Sequence, residues 1–144
     1  NFLKQKNYFE ELEKFKQSKK LILGICLGMQ LFCESSEESR KGHKGLGWFK
    51  AKVKKFKNLP TQIGWQEVIT DFETLNFEKD KKKDFYFLNS YYVPVIKKHT
   101  LCKSKYLNTN FSSVIKKNNI IGVQFHPERS QENGINFFKK FNEI

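Results

Sequence analysis

Long hydrophobic runs and cysteine are scarce in this 144-residue sequence, and each scarcity excludes a class of protein. The longest apolar run, residues 21–25, is far shorter than the ~20 residues that span a bilayer, so the sequence is not expected to be that of a membrane protein. The cysteines are three, an odd number with irregular spacing, which argues against a disulfide framework. No CxxC pair or His-rich cluster indicates a metal site, and we expect a reducing cytoplasm as the compartment.

Arginine is also scarce: only Arg40 and Arg129 among 27 basic residues, although the formal net charge is +12. A charge of this size can indicate a nucleic-acid-binding surface. Such surfaces favour the arginine fork for reading bases and phosphates, whereas lysines are scattered along this whole chain. We therefore interpret the charge as a compositional bias and expect no nucleic-acid partner. A basic binding module is kept as an alternative.

Hydrophobic periodicity predicts a single α/β domain over residues 1–144. The pattern predicts an amphipathic helix over residues 2–17 and a second helix over 27–37. Between them, residues 21–24 are apolar on both faces, which is typical of a central, parallel strand. Because the chain opens at Asn1 rather than at Met, directly before a predicted helix, we expect its natural N-terminus to lie further upstream.

The rest of the chain is predicted to be mainly strands, followed by a last helix. The strands are predicted at 46–53, 63–69, 85–88, 91–96, 111–116 and 120–125. Asn118 and Asn119 favour a tight hairpin turn between the last two, since asparagine tolerates positive φ. Ser130 is predicted to cap a helix whose apolar face consists of Ile135, Phe138 and Phe141.

The first chemical motif places Cys26 between Gly24 and Gly28, directly after the buried strand and before a helix. This is the pattern of a nucleophile elbow with cysteine as the nucleophile. The sharp turn crowds the backbone on both sides, points the sulfur out of the sheet and sets it at a helix N-terminus, which favours the thiolate. The amide of Leu27 can then donate to a developing oxyanion.

The second motif is a strand that ends in His126, followed by Pro127 and Glu128. A cysteine nucleophile needs a histidine to accept its proton, and the histidine needs a group that fixes its tautomer. Catalytic side chains lie at strand ends in α/β sheets. Cys26, His126 and Glu128 therefore form a candidate catalytic triad.

These two motifs, residues 24–30 and 124–130, resemble those of the class I (triad) glutamine amidotransferases. Residues 44–47, 59–68 and 85–92 look more narrowly like the glutaminase subunit of imidazole glycerol phosphate synthase, of histidine biosynthesis. The resemblance implies a flavodoxin-like fold: a central, mostly parallel sheet flanked by helices, with an antiparallel extension. It also implies glutaminase activity, no cofactor, and a heterodimer with an ammonia-accepting synthase or cyclase of the (β/α)₈-barrel type.

The resemblance assigns a role to each matching residue. Cys26 is the nucleophile, His126 the base and Glu128 the group that orients the base. The positions that match glutamine-binding residues or backbone are Leu27, Gln30, Glu38, Ser90 and Tyr91. The positions that match the face toward the synthase partner are Trp65, Tyr86 and Arg129.

Departures from the family pattern keep other functions open. No counterpart of the family's first strands and Pro-Gly-x-Gly loop is present. Gln62 and Asn89 stand where the family usually has histidine, Gln66 replaces a usual asparagine, and Arg129 a usual lysine. The alternatives are a paralogue that supplies ammonia to a sugar-modifying synthase, an inactive truncated remnant, and a cysteine peptidase on a related fold.

Overall fold

The computed structural model describes residues 8–39, 42–70, 74–75 and 77–143. The helices are α1 (Tyr8–Gln17), α2 (Leu27–Leu31) and α3 (Gln131–Asn142), and a 3₁₀ turn at Pro127–Arg129 precedes α3. The strands are β1 (Ile22–Ile25), β2 (Cys33–Ser36), β3 (Phe49–Lys55), β4 (Gln62–Val68), β5 (Lys83–Asn89), β6 (Tyr91–Tyr92), β7 (Thr100–Tyr106), β8 (Thr109–Lys117) and β9 (Ile120–Val123). In this described part, no helix is long and apolar enough to cross a membrane.

The main sheet combines parallel and antiparallel pairing in the order β1-β9-β8-β7. β1 runs parallel to β9, with Ile25 opposite Val123, and β9, β8 and β7 pair antiparallel. β2 and β3 form a further parallel pair, and β4 and β5 an antiparallel pair. The predicted α/β class and the parallel pairing of the first strand are therefore confirmed. Among the described strands β1 lies at the sheet edge rather than at its centre.

The core lies on both faces of β9, because successive side chains of a strand point to opposite faces. Ile120 belongs to a cluster that includes Met29 of α2 and Phe49 of β3. Ile121 and Val123 belong to a second, phenylalanine-rich cluster between the main sheet, β5 and α3. Since both faces are covered, β9 is held firmly and carries the residues after it, including His126, to a fixed position.

Two predicted elements are much shorter in the structure, and the strand predicted at 120–125 ends two residues early, at Val123. The helix predicted over 27–37 ends at Leu31, because Phe32 and Cys33 are buried and Cys33 begins β2, pairing with Phe49. The strand predicted at 91–96 is limited to Tyr91–Tyr92. Pro94 follows closely and has no N–H to offer a neighbouring strand. Residues 2–7 of the first predicted helix lie outside the described residues.

β7 was not predicted, and the buried face predicted for α3 is correct at two of its three residues. β7 alternates buried Cys102 and Ser104 with lysines, and its polar composition hid the strand. In α3, Phe138 and Phe141 pack against the phenylalanine-rich cluster, as predicted. Ile135 is 57% exposed, and Phe137, which was not predicted, is fully buried. Ser130 stands at the N-cap position but makes no side-chain capping bond there. Asn118 has φ of 53° in the turn between β8 and β9, as predicted.

Candidate active site

Cys26 occupies the turn between β1 and α2 in a conformation that few non-glycine residues adopt. Its φ is 50° and its ψ is −105°. The turn is fixed on both sides, since the Cys26 N–H donates to the Val123 carbonyl at 2.7 Å and its carbonyl accepts from the Gln30 N–H at 3.2 Å. Residues whose φ and ψ angles lie in such a sparsely populated region of the Ramachandran plot cluster at functional sites. The structure therefore has the predicted elbow, with the sulfur at the carboxyl end of β1.

Only one of the two flanking glycines is required by crowding. A Cβ added at Gly24 would lie 2.5 Å from the Phe32 ring and 2.7 Å from the carbonyl carbon of Gly28. A Cβ added at Gly28 would meet nothing within 4 Å. Crowding was predicted on both sides of Cys26, and the structure shows it before the cysteine alone.

His126 and Glu128 form a short hydrogen bond at the end of the neighbouring strand. The His126 backbone N–H donates to the Tyr86 carbonyl at 2.8 Å, which fixes the residue against β5. The His126 Nδ1 lies 2.6 Å from Glu128 Oε1. A carboxylate can only accept, so Nδ1 donates this bond, and in the neutral imidazole Nε2 is then the acceptor. Nε2 is buried and has no hydrogen-bond partner among the described residues.

The thiol and the imidazole lie at the ends of adjacent parallel strands but are not hydrogen-bonded to each other. Cys26 Sγ donates instead to the Leu88 carbonyl at 3.8 Å, a long and weak contact. The Glu128 carboxylate is near enough that its charge acts on the thiol. The structure thus joins His126 to Glu128 directly, and it brings Cys26 to the same rim of the sheet.

Burial is the main influence on the Cys26 thiol and raises its pKa above the usual value. The backbone amide of Leu27 and the side-chain amide of Gln124 act in the opposite direction by donating hydrogen bonds to the sulfur. The negative charges of Glu128 and Glu38 raise the pKa further. In this state the thiol form is favoured, and the two amide donors are the groups that stabilise the thiolate.

A cleft of about 260 Å³ brings Cys26 together with all the residues assigned to glutamine binding. These are Leu27, Gln30, Glu38, Ser90 and Tyr91. Thr61 also lines the cleft, and its hydroxyl lies 2.7 Å from that of Ser90. Sequence reasoning missed Thr61, which precedes β4 and carries no motif signal of its own.

A chain of buried amides connects this cleft to the sulfur. Gln30 Nε2 donates to the Tyr91 carbonyl and to Gln124 Oε1, each at 3.0 Å. Gln124 Nε2 lies 3.6 Å from Cys26 Sγ. Gln124 is fully buried, and sequence reasoning missed it although a glutamine inside an apolar run was an available signal.

Two of the departures from the family pattern face each other across β4 and β5. Gln62 is opposite Asn89 in the strand register, and both side chains are buried. Asn89 Nδ2 donates to the Tyr91 carbonyl at 3.0 Å. Neither amide atom of Gln62 has a partner among the described residues. These substitutions therefore alter the polar lining behind the cleft and leave the His126–Glu128 pair intact.

The residues assigned to the partner face lie together on the outer side of β4 and β5. Trp65 is opposite Tyr86, with ring centroids 6.2 Å apart, and is 49% exposed. The Arg129 guanidinium lies 4.6 Å from the centre of the Tyr86 ring. Ile63, opposite Leu88, extends the exposed apolar surface to the cleft. We call Ile63, Trp65, Tyr86, Leu88 and Arg129 the aromatic face.

No group of three or more His, Cys, Asp or Glu side chains within the described ranges could hold a metal ion. The groups that the site presents are the Cys26 thiol, the His126 imidazole, the Glu128 carboxylate and the surrounding amides. These groups suit nucleophilic attack on a carbonyl carbon.

Comparison with known proteins agrees with this geometry. The family described as Glutamine amidotransferase class-I matches residues 4–143. An imidazole glycerol phosphate synthase subunit HisH from Buchnera aphidicola (subsp. Schizaphis graminum) is 45% identical, covering 99% of this chain and 72% of that protein. An imidazole glycerol phosphate synthase subunit HisH from Pyrococcus furiosus is 46% identical, and the match covers 87% of this chain and 66% of that protein. The chain thus spans about two thirds of the length of these relatives.

Solved structures support the same fold at lower sequence identity. PurLQS from Thermotoga maritima matches with a TM-score of 0.69 and 20% identity, over 94% of this chain and 66% of that one. A glutamine amidotransferase from the same organism matches with a TM-score of 0.61 and 18% identity, over 96% of this chain and 54% of that one. With the family match over nearly the whole sequence, the conclusion is direct: the chain belongs to the class I glutamine amidotransferases.

Proposed function

We propose that this chain is the glutaminase subunit of imidazole glycerol phosphate synthase and that Cys26, His126 and Glu128 carry its chemistry. The relatives at 45–46% identity support this function, since they are named as HisH subunits of that synthase. The observation that carries the site assignment is the hydrogen bond between His126 and Glu128. Cys26 lies at the same rim of the sheet, in the turn between β1 and α2, and lines a cleft together with the predicted binding residues. The resulting enzyme hydrolyses L-glutamine to glutamate and ammonia.

The first half of the reaction forms a thioester. His126 Nε2, oriented by Glu128, takes the proton of the Cys26 thiol, and the sulfur attacks the carboxamide carbon of glutamine. The carbonyl oxygen becomes an oxyanion, toward which the Leu27 amide donates. Collapse of this intermediate breaks the C–N bond, and His126 returns the proton to the leaving nitrogen, which departs as ammonia.

The second half regenerates the enzyme. Water, deprotonated by His126, attacks the thioester carbon, and the C–S bond breaks to release glutamate. The thiolate recovers the proton from the imidazole. Before the first step Sγ must move from the Leu88 carbonyl to Nε2. That contact is long and weak, so its loss costs little, and catalytic hydrogen bonds often form only in the substrate complex.

The aromatic face fits the site of a partner subunit. It is contiguous with the cleft, since Leu88 contributes its carbonyl to the Cys26 thiol and its side chain to the face. Aromatic and arginine side chains are the residues that most often dominate binding at interfaces. The partner in this proposal is the cyclase subunit of the synthase, a (β/α)₈ barrel, which receives ammonia directly and keeps it from protonation in water. The three free thiols fit a cytoplasmic enzyme.

A chloroketone analogue of glutamine tests the proposed function. We expect it to attach covalently to Cys26 in the complex of the full chain with its synthase partner, because the thiolate attacks the carbon that bears chlorine. Intact-mass measurement should show one adduct, peptide mapping should place it at Cys26, and excess glutamine should slow the reaction.

The other two cysteines provide an internal control for this labelling. Burial raises the pKa of Cys33 to about 12 and raises that of Cys102 as well, so neither should react. No adduct at Cys26, in a complex that also fails to release ammonia, would favour the inactive remnant. Adduct formation that glutamine does not slow would favour a different substrate, such as a peptide.

Replacing Trp65 by alanine should weaken binding of the synthase partner by about 100-fold, as expected for an interface tryptophan. Isothermal titration with the purified partner measures this affinity. Phe15→Ala is the matched control, because Phe15 is an aromatic residue of similar exposure, 45%. It lies on α1, which precedes β1 in the chain, whereas Cys26 follows the other end of that strand. Equal losses in both variants, or none in Trp65→Ala, would contradict the assignment of the aromatic face.

A further inference from the structure

Gln124 lies between the nucleophile and the binding cleft, and the reaction described above gives it no task. It directly follows β9 and is fully buried. Its backbone N–H donates to the Ser113 carbonyl at 2.9 Å, so its main chain is fixed on β8. A buried side-chain amide must satisfy both a donor and an acceptor end. Here each end has a partner that belongs to the site.

The two partners determine which way the amide points. Gln30 Nε2 is a donor, so it requires the oxygen of Gln124 on its side, at 3.0 Å. The NH₂ group of Gln124 must then face Cys26 Sγ, at 3.6 Å. If the Gln124 amide were rotated by 180°, its NH₂ group would face the NH₂ group of Gln30, and its oxygen would face the sulfur of Cys26, which is also an acceptor. The orientation is therefore set by Gln30, which is itself held by the Tyr91 carbonyl.

We propose that Gln124 is a positioning residue of the glutaminase: Gln30 aims its amide N–H at Cys26 Sγ, where it stabilises the thiolate and couples the nucleophile to the binding cleft. This inference rests on the proposed function. A hydrogen bond to a charged acceptor is stronger than one to a neutral acceptor, so the N–H favours the thiolate over the thiol. When glutamine contacts Gln30, it also acts on the group that orients this donor.

The charges around the sulfur make the donor important. Glu128, on the turn after His126, and Glu38, after β2, both disfavour the thiolate, as does burial. The imidazole of His126 faces the same rim from the end of β9. Against these influences the described donors are the Leu27 amide, fixed by the backbone, and the Gln124 amide, which depends on a side chain. Only the second can be removed by substitution.

The test compares Gln124→Met with the parent, both as the full chain in complex with the synthase partner. Methionine has a similar volume and offers no N–H to the sulfur. We expect the pH midpoint for alkylation of Cys26 by iodoacetamide to rise by about one unit. At pH values below that midpoint, the alkylation rate and the glutaminase kcat/KM of Gln124→Met should both be about tenfold lower than those of the parent. A purely structural role would leave the midpoint unchanged, and this result in a folded variant would overturn the proposal.

Gln124→Glu provides a second variant if the first does not fold. Its carboxylate still accepts from Gln30 but no longer donates to sulfur, so we expect at least as large a rise in the midpoint. Ser113→Ala is the matched control. It removes a buried hydrogen bond of 2.6 Å to Ser104, beside Gln124 in the sheet, and should not change the midpoint.

A measurement on the parent requires no variant to fold. The side-chain amide nitrogen resonance of Gln124 should shift over the same pH range in which Cys26 titrates, and a constant resonance would overturn the proposal. Failure of the proposed function has a different signature. In that case the parent complex itself would release no ammonia from glutamine, whatever the variants do.

Discussion

Replacing Cys26 by alanine should lower the glutaminase kcat/KM by at least about 10⁴-fold, the largest effect expected for any single side chain here. The loss follows because no other described residue that lines the cleft can form the thioester, and the remaining amide donors can stabilise an oxyanion only if a nucleophile creates it. Ammonia release from glutamine, measured in the complex of the full chain with its synthase partner, checks the prediction. Affinity for the partner should be unchanged, since the aromatic face keeps its side chains.

Cys102→Ala is the matched control for the Cys26 variant. It makes the same chemical change in the core, where Cys102 is fully buried, and should preserve kcat/KM while lowering stability modestly. Ammonia release by Cys26→Ala at a rate similar to that of the parent would contradict the assigned nucleophile. A similar loss in both variants would show that destabilisation, rather than chemistry, lowers the activity.

The proposed catalytic groups could be selected from the sequence because each depends on local chain chemistry. Cys26 lies in a turn that requires a small residue at Gly24, and His126 and Glu128 are two positions apart on one turn. Local patterns cannot show which donor the sulfur faces before substrate binds. They therefore indicated the triad but not the contact of Sγ with the Leu88 carbonyl, which depends on the distant pairing of β4 and β5.

The errors in the predicted elements have a common physical cause, which is long-range packing. Leu31 and Glu34 continue a helical spacing, but burial of Phe32 and Cys33 against Trp48 and Phe49 forces the chain into β2. Gln124 was overlooked for the same reason: directly after β9, within the strand predicted at 120–125, it resembles an ordinary strand residue. Its two partners, Gln30 and Cys26, are more than 90 positions away in sequence.

The sequence could not show that Ile135 lies outside the buried face of α3, because apolar residues cover more than one side of the helix. The deciding residue is Gly134, which allows the helix to lie directly on the turn that carries Glu128. A Cβ added there would lie 1.8 Å from the Pro127 carbonyl oxygen and 2.8 Å from its carbon. Both are backbone atoms, so no side-chain rotation can relieve the overlap.

Gly134→Ala should therefore lower the free energy of unfolding by about 3 kcal/mol or more and the Tm by about 10 °C. Calorimetry of the full chain measures both. Ile135→Ala on the same helix is the control. Because Ile135 is 57% exposed, we expect its replacement to change the stability by less than about 1 kcal/mol. Equal stability of Gly134→Ala and the parent would contradict the close contact between α3 and the turn.

The same substitution should also reduce activity in the molecules that remain folded, because the helix and the turn that carries Glu128 share one set of contacts. The Ser130 hydroxyl donates to the His126 carbonyl at 2.6 Å and accepts from the Tyr86 N–H at 3.0 Å, so the turn is fixed between α3 and β5. The methyl group that Gly134→Ala introduces would push the helix and the Pro127 backbone apart. A shift of Pro127 would change the distance between His126 and Glu128, because Pro127 lies between them in the chain. We expect kcat to fall more than KM rises, since the cleft residues lie on other elements. A variant with a lower Tm but an unchanged kcat, measured well below that Tm, would show that the turn keeps its geometry without α3.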